Sequence, residues 1–208
     1  IKRRRTNKLK LSSSWGTRIT MEKIDEYKIK ADDLIIPVAI LGGKGITKQY
    51  HVYIPTIAPG TKALMDYIKH GLISEVAIST QEILDPKSIS ILKGKFSKRA
   101  KVLIQDKLPN ISQDTAVLLI NILMQEMLGL GDIEYLLADE NLEEIVVTSS
   151  KEPVRIYHKK HGWLETNISI ASEDKILNYA NIIGRRVGRQ ITVLNPLLDA
   201  HLLTGDRI

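Results

Sequence analysis

The sequence predicts an α+β protein, and three observations predict it. Residues 113–128 are predominantly apolar and follow a helical period. After Gly129-Leu130-Gly131, three short β-branched segments follow with only tight turns between them: Glu144 to Thr148, Val154 to His158 and Trp163 to Ile168. A helical pattern from Ser172 and a further strand at about Asp199 to Leu203 then follow. Consecutive strands flanked by helices describe an antiparallel sheet with helices packed on one face. The organisation expected is a disordered basic arm (1–18), a first α/β subdomain (19–108) and a second, α+β, subdomain (109–208).

The arm carries the charge. The net charge is +6, and Lys2, Arg3, Arg4, Arg5, Lys8 and Lys10 stand in the first ten residues without an acid. Without those six, bases and acids are equal in number. A neutral body speaks against a nucleic-acid-binding surface, which would set its cations on the fold itself. With Ser12-Ser13-Ser14 behind them, the basic residues read as a solvated tail. There is no cysteine, which excludes disulfides and thiolate metal sites. No apolar run reaches the roughly 20 residues that span a bilayer. The chain does not begin with Met and reads as a piece of a longer one.

Residues 19–57 read as short strands. Leu34-Ile35-Ile36 and Val38 to Leu41 are apolar, and Pro37 between them suggests an edge or a bend. Gly42-Gly43-Lys44-Gly45 turns into the alternating Tyr50, Val52 and Ile54, a hairpin. These glycines do not make a phosphate loop, because Lys44 is followed by Gly45 and Ile46 where G-x-x-x-x-G-K-[ST] requires a hydroxyl for magnesium. A helix over 61–74 places Ala63, Leu64, Tyr67, Ile68 and Leu72 on one face. Asp85-Pro86 opens another, with Ile89, Leu92, Phe96 and Leu103 along its apolar stripe and Lys93, Lys95, Lys98, Arg99 and Lys101 opposite. Such a basic face suits a membrane surface or an acidic partner, and equally a plain solvated helix. Pro109-Asn110 breaks the chain; Asn110 with Gln113, or Ser112 alone, caps the next helix. That helix is greasy enough to be buried on most sides, with Asp114, Asn121 and Gln125 as a narrow polar stripe. The helix from Ser172-Glu173-Asp174 carries Ile176, Ala180, Ile183 and Val187 on its apolar side and ends at Gly188.

Most titratable clusters read as structural. His158-Lys159-Lys160-His161 sits on a strand and turn, without the geometry of a helical ligand pair and with lysines that repel a cation, so it reads as a solvated hairpin. Asp139-Glu140 and Glu143-Glu144 read as solvated acids of a turn, and the Asn167-Ile168-Ser169 sequon as incidental.

Two blocks carry a resemblance. Gly129-Leu130-Gly131-Asp132-Ile133-Glu134-Tyr135-Leu136-Leu137-Ala138-Asp139, followed by an acidic strand lead-in, is similar to the N-terminal region of the secretion ATPases, which drive type II and type IV secretion, type IV pili and archaella. The similarity resumes in Gly184-Arg185-Arg186, Asn195 to Leu202 and Gly205-Asp206-Arg207-Ile208. It covers the second half of the chain well and the first half loosely. The resemblance implies a ring, a hexamer, peripheral at the cytoplasmic face of a membrane. It implies ATP with Mg held mainly by a C-terminal ATPase domain, neighbouring subunits in the ring, and a membrane platform protein as partner, with no nucleic acid. The N-terminal portion would move as a lid and contribute arginines to the nucleotide. Arg207 falls in the Gly-x-Arg element and Arg186 or Arg189 near the Gly-Arg element; with Arg185 beside them, these are the arginines expected at the nucleotide. The chain departs from the family in showing Leu202-Leu203-Thr204-Gly205 where Leu-Pro-Asp-Gly is common. Without a Walker A loop these residues should not hydrolyse ATP alone. The alternative is a stand-alone adaptor that binds a protein through its basic helix, Lys93 to Lys101, and its basic arm, and never meets nucleotide.

Overall fold

A computed structural model describes residues 8–10, 20–43, 46–75, 88–189 and 191. In chain order its elements are β1 (Lys8–Lys10), β2 (Thr20–Ala31), β3 (Leu34–Gly43), β4 (Ile46–Val52), α1 (Pro59–Glu75), α2 (Ser88–Lys107), α3 (Gln113–Leu128), α4 (Ile133–Leu137), β5 (Leu142–Val146), β6 (Arg155–His158), β7 (Gly162–Thr166) and α5 (Glu173–Arg186). The α+β class holds. The chain clusters into two compact units, residues 1–55 with 132–173, and 56–131 with 174–208. Each unit draws on chain from both sides of Pro109, so the structural division is interleaved rather than sequential at 108/109.

The first unit is built on one seven-stranded sheet in the order β1-β2-β3-β4-β7-β6-β5. β5, β6 and β7 form the expected antiparallel meander, with Ile145 opposite Ile156 and Ile156 opposite Leu164. That meander is not a separate sheet. β7 joins β4 in the parallel sense through Gln49↔Glu165 and Tyr50↔Thr166. Asn167 extends the joint: its side-chain oxygen accepts from the Val52 amide at 2.8 Å and its nitrogen donates to the Val52 carbonyl at 3.0 Å. β3 is central and buried from Val38 to Leu41. Pro37 does not interrupt it, contrary to the expectation of an edge or bend. Its carbonyl accepts from Tyr53 just past the last β4 pair, Val38↔Val52. A residue in an antiparallel ladder directs its N–H and C=O to the same neighbour, so the missing donor falls beyond the end of β4.

Two further features are corrections. Lys8–Lys10, assigned to the disordered arm, pair as an edge strand with Thr20 to Glu22 of β2. Backbone pairing asks only for an open strand edge, whatever the composition of the segment. β2 and β3 are joined by the two-residue turn Asp32-Asp33, with Asp32 at φ 51, the left-handed conformation such turns require and aspartate tolerates. The hairpin between β3 and β4 forms as expected; residues 44 and 45 at its tip lie outside the described residues.

The second unit, among the described residues, is helical. Met65, Ile68 and Leu72 of α1, Leu92, Phe96, Ala100 and Ile104 of α2, and Ala116, Leu119 and Leu123 of α3 share one core. Each set steps by three or four residues, the period of a helix face. Ser112 caps α3 by accepting from the Thr115 amide at 3.2 Å. α3 is buried on two sides. The Ala116, Leu119 and Leu123 face joins the three-helix core, while Asn121 and Gln125 lie on the opposite side, 7% and 5% exposed. The polar stripe is therefore covered as well, and among the described residues the amide nitrogens of both side chains have no hydrogen-bond partner. No helix among the described residues is long and apolar enough to cross a membrane. The Asp85-Pro86 helix opening and the strand at about 199–203 lie outside the described residues.

Candidate functional site

The arginines expected to meet phosphate converge in part. α5 ends in a tightly closed turn: the Arg189 amide donates to the Gly184 carbonyl at 2.8 Å and the Gly188 amide to the Arg185 carbonyl at 3.0 Å. Gly188 sits at φ 69, so the paired bonds and left-handed residue form a Schellman motif. Gly184 is buried, and a Cβ there would stand 3.0 Å from the Arg189 carbonyl oxygen. The chain turns back at this point, and Arg185, Arg186 and Arg189 cluster around one helix terminus. Arg185 is exposed and its Nε donates to the Asn181 carbonyl at 3.3 Å, an interaction with its own helix. Three cations at the negative end of a helix stabilise it by about 0.3–1 kcal/mol each. Arg207 lies outside the described residues.

At the other end of the recognised block, the Gln125 carbonyl accepts from both the Gly129 and Gly131 amides at 3.2 Å. Gly131 has φ 55, and a Cβ on it would lie 2.5 Å from the Tyr179 hydroxyl of α5. The glycine is needed both for the backbone conformation and for the space.

The first unit contains a polar network that sequence reasoning dismissed. Asp139 follows α4 and is 4% exposed, not a solvated turn acid. Its Oδ2 accepts from the Tyr27 hydroxyl of β2 at 2.5 Å and the Tyr50 hydroxyl of β4 at 2.6 Å. Its Oδ1 accepts from the backbone and side-chain nitrogens of Asn141, both at 2.9 Å. Burial and the bond to Asp139 push both tyrosine hydroxyls well above their ordinary pKa, so they stay protonated. His158 is 3% exposed, again a correction to the solvated hairpin. Its Nδ1 accepts from the Lys160 amide at 3.0 Å, so the ring proton sits on Nε2, which is 3.2 Å from the Tyr27 hydroxyl. Burial holds the ring below its ordinary pKa, with His161 adding to the effect from 4.8 Å away.

Asp25 of β2 clamps the turn of the β6–β7 hairpin. Its Oδ2 accepts from Lys160 Nζ at 2.8 Å and lies 3.1 Å from His161 Nε2. Lys160 first, and then His161, hold its carboxyl down at about 2. The network tethers β2, β4, the segment after α4 and the hairpin. Asp139 has donors on both oxygens and His158 has partners on both ring nitrogens, so neither leaves an atom for a substrate. The arrangement is a structural lock rather than a catalytic centre. No sequence signal pointed to it, because its partners lie as far apart as 136 residues along the chain. Among the described residues no group of His, Cys, Asp and Glu is arranged to hold a metal ion.

No protein-family model matches this chain. It is similar to three uncharacterized proteins of Methanocaldococcus jannaschii. With MJ1288 it shares 28% identity over 162 residues, 78% of this chain and 63% of that protein. With MJ0900 the identity is 37% over 87 residues, 42% of this chain and 16% of that protein. With MJ0781 it is 28% over 189 residues, 89% of this chain and 24% of that protein. The chain thus spans less than two thirds of each of these relatives.

Proposed function

We propose that this chain is the N-terminal coupling portion of a secretion or pilus-assembly ATPase, a lid that closes on ATP held by a catalytic domain and carries the motion to a membrane platform. The observation that carries the reading is the order and spacing of two sequence blocks, residues 129–139 and 184–208, each similar to its counterpart in that superfamily. Supporting it, the first block forms a glycine joint between a buried helix and a strand meander, and the second opens on a helix end where Arg185, Arg186 and Arg189 cluster. The matches to MJ0900 and MJ0781 fall within proteins several times longer than the matched stretch, as expected of a module in a larger machine.

In this proposal ATP binding draws the lid closed, hydrolysis releases it, and a hexameric ring transmits the strokes. The nucleotide and its Mg sit mainly on the catalytic domain. The arginine fork matches phosphate oxygens and neutralises the charge that develops as the phosphoryl group transfers. The test is ATP turnover by the whole protein bearing Arg185→Ala, Arg186→Ala, Arg189→Ala or Arg207→Ala. At least one variant, Arg207→Ala first, should fall by about tenfold or more with its circular dichroism unchanged. Wild-type turnover in all four would overturn the proposal.

A further inference from the structure

The helical unit carries a surface feature that the nucleotide reading leaves unused. α2 and α3 form a helical hairpin, and a cleft of about 230 Å³ opens beside its connector. Lys101 and Gln105 line it from α2, Gln113, Val117 and Ile120 from α3, and Ile111 from the connector. The α3 residues recur at three- and four-residue steps, so they form one stripe along the helix. Val117 and Ile120 stay partly exposed on a helix whose composition asks for burial. The cleft thus has an aliphatic floor, with one ammonium and two carboxamides at its rim.

Charge balance selects among occupants. Among the described residues, Lys101, and Lys98 one turn before it, make no ion pair. The nearby acids are already engaged: Glu75 bonds Arg99 at 2.5 Å and Asp106 bonds Lys107 at 3.0 Å. Asp114 follows Gln113 on α3, and a helix turns about 100° per residue, which carries it off the cleft stripe. The volume lies below the roughly 300–1,000 Å³ of small-molecule pockets, so it suits one or two side chains of a partner rather than a cofactor. A concave apolar floor is not filled by a flat lipid surface. The neutral body speaks against nucleic acid.

We propose that the α2–α3 cleft docks an acidic, aliphatic-containing segment of a partner protein. Lys101 and the Gln105 and Gln113 amides take a carboxylate, and Ile111, Val117 and Ile120 take a neighbouring aliphatic side chain. This site needs no nucleotide, so it stands or falls separately from the ATPase proposal.

The test pans a random-peptide phage library against the 208-residue protein without ATP. Enriched sequences should pair Asp or Glu with Leu, Ile or Val within a few positions. A fluorescently labelled synthetic copy of the top sequence should bind the wild type and bind Lys101→Glu about tenfold more weakly or worse, the equivalent of one lost charge-assisted bond. Lys101→Arg should retain binding. Lys101 is exposed, so neither variant should disturb folding, which circular dichroism verifies. No enriched sequence, equal binding to Lys101→Glu, or equal binding by a glutamate-only peptide would each overturn the proposal.

Discussion

Replacing Asp139 by Ala removes the acceptor at the centre of the sheet unit's polar lock. Four donors lose it: the hydroxyls of Tyr27 and Tyr50 and both nitrogens of Asn141. Asn141 is exposed, and water replaces its bonds at little cost. Tyr50 is 0% exposed and has no such recourse. A buried donor left unsatisfied costs about 1–3 kcal/mol, and bonds to a charged acceptor lie at the upper end of that scale. Tyr27 is half-buried and keeps its contact with His158, so its loss is smaller. The expected total is about 3–5 kcal/mol, the level found when one partner of a buried charged network is removed. Against the typical stability of about 5–15 kcal/mol that is enough to leave the unit marginal. Trp163 stands in β7 of the sheet unit, so urea unfolding followed by tryptophan emission reports on it. Tyr50→Phe should cost less than Asp139→Ala, because it leaves Asp139 with three donors. The double variant should cost less than the sum, since Phe strands no hydroxyl when the carboxylate is gone. An Asp139→Ala protein within about 0.5 kcal/mol of wild type would show the residue to be an ordinary surface acid and refute the lock.

Two further outcomes follow from the same geometry. The folded His158 ring titrates below its ordinary 6.5, so the unfolded chain takes up the proton first as pH falls; its contribution is full above 6.5 and is lost as pH drops through that value. Asp25 is held at about 2 against an ordinary 3.8, so its contribution is full above 3.8 and is lost between 3.8 and about 2. Urea midpoints across this range should flatten in the upper window for His158→Gln and in the lower window for Asp25→Asn; unchanged slopes would refute the assignments. Gly131→Ala meets both a left-handed backbone and the Tyr179 hydroxyl, whereas Gly188→Ala, at φ 69, meets only the backbone cost in open space. Gly188→Ala should therefore destabilise by about 1–2 kcal/mol and Gly131→Ala by more, read as thermal midpoints; equal shifts would remove the role of Tyr179.

Features that short-range physics controls were legible in the residues themselves. Ser112 and the glycines at 129, 131 and 188 punctuate the helices where backbone bonds need a cap or a left-handed residue. The period of the apolar residues separated α1, α2 and α3 from the β5–β7 meander, because 3.6- and 2-residue repeats are written locally. Arg185, Arg186 and Arg189 cluster because a single helix end carries them. Tertiary structure alone decided which polar residues are buried and how the strands join. Asp139 and His158 resemble turn residues until Tyr27 and Tyr50, from strands about a hundred positions away, cover them. The parallel β4–β7 pair joins both halves of the chain in one sheet through a register that no local pattern encodes. Asn121 and Gln125 stand out locally only as a narrow polar stripe on α3, and the fold alone shows that this side of the helix is covered too. Caps and periods depend on neighbours within a turn, whereas burial depends on which distant segment arrives, and only the folded chain supplies that.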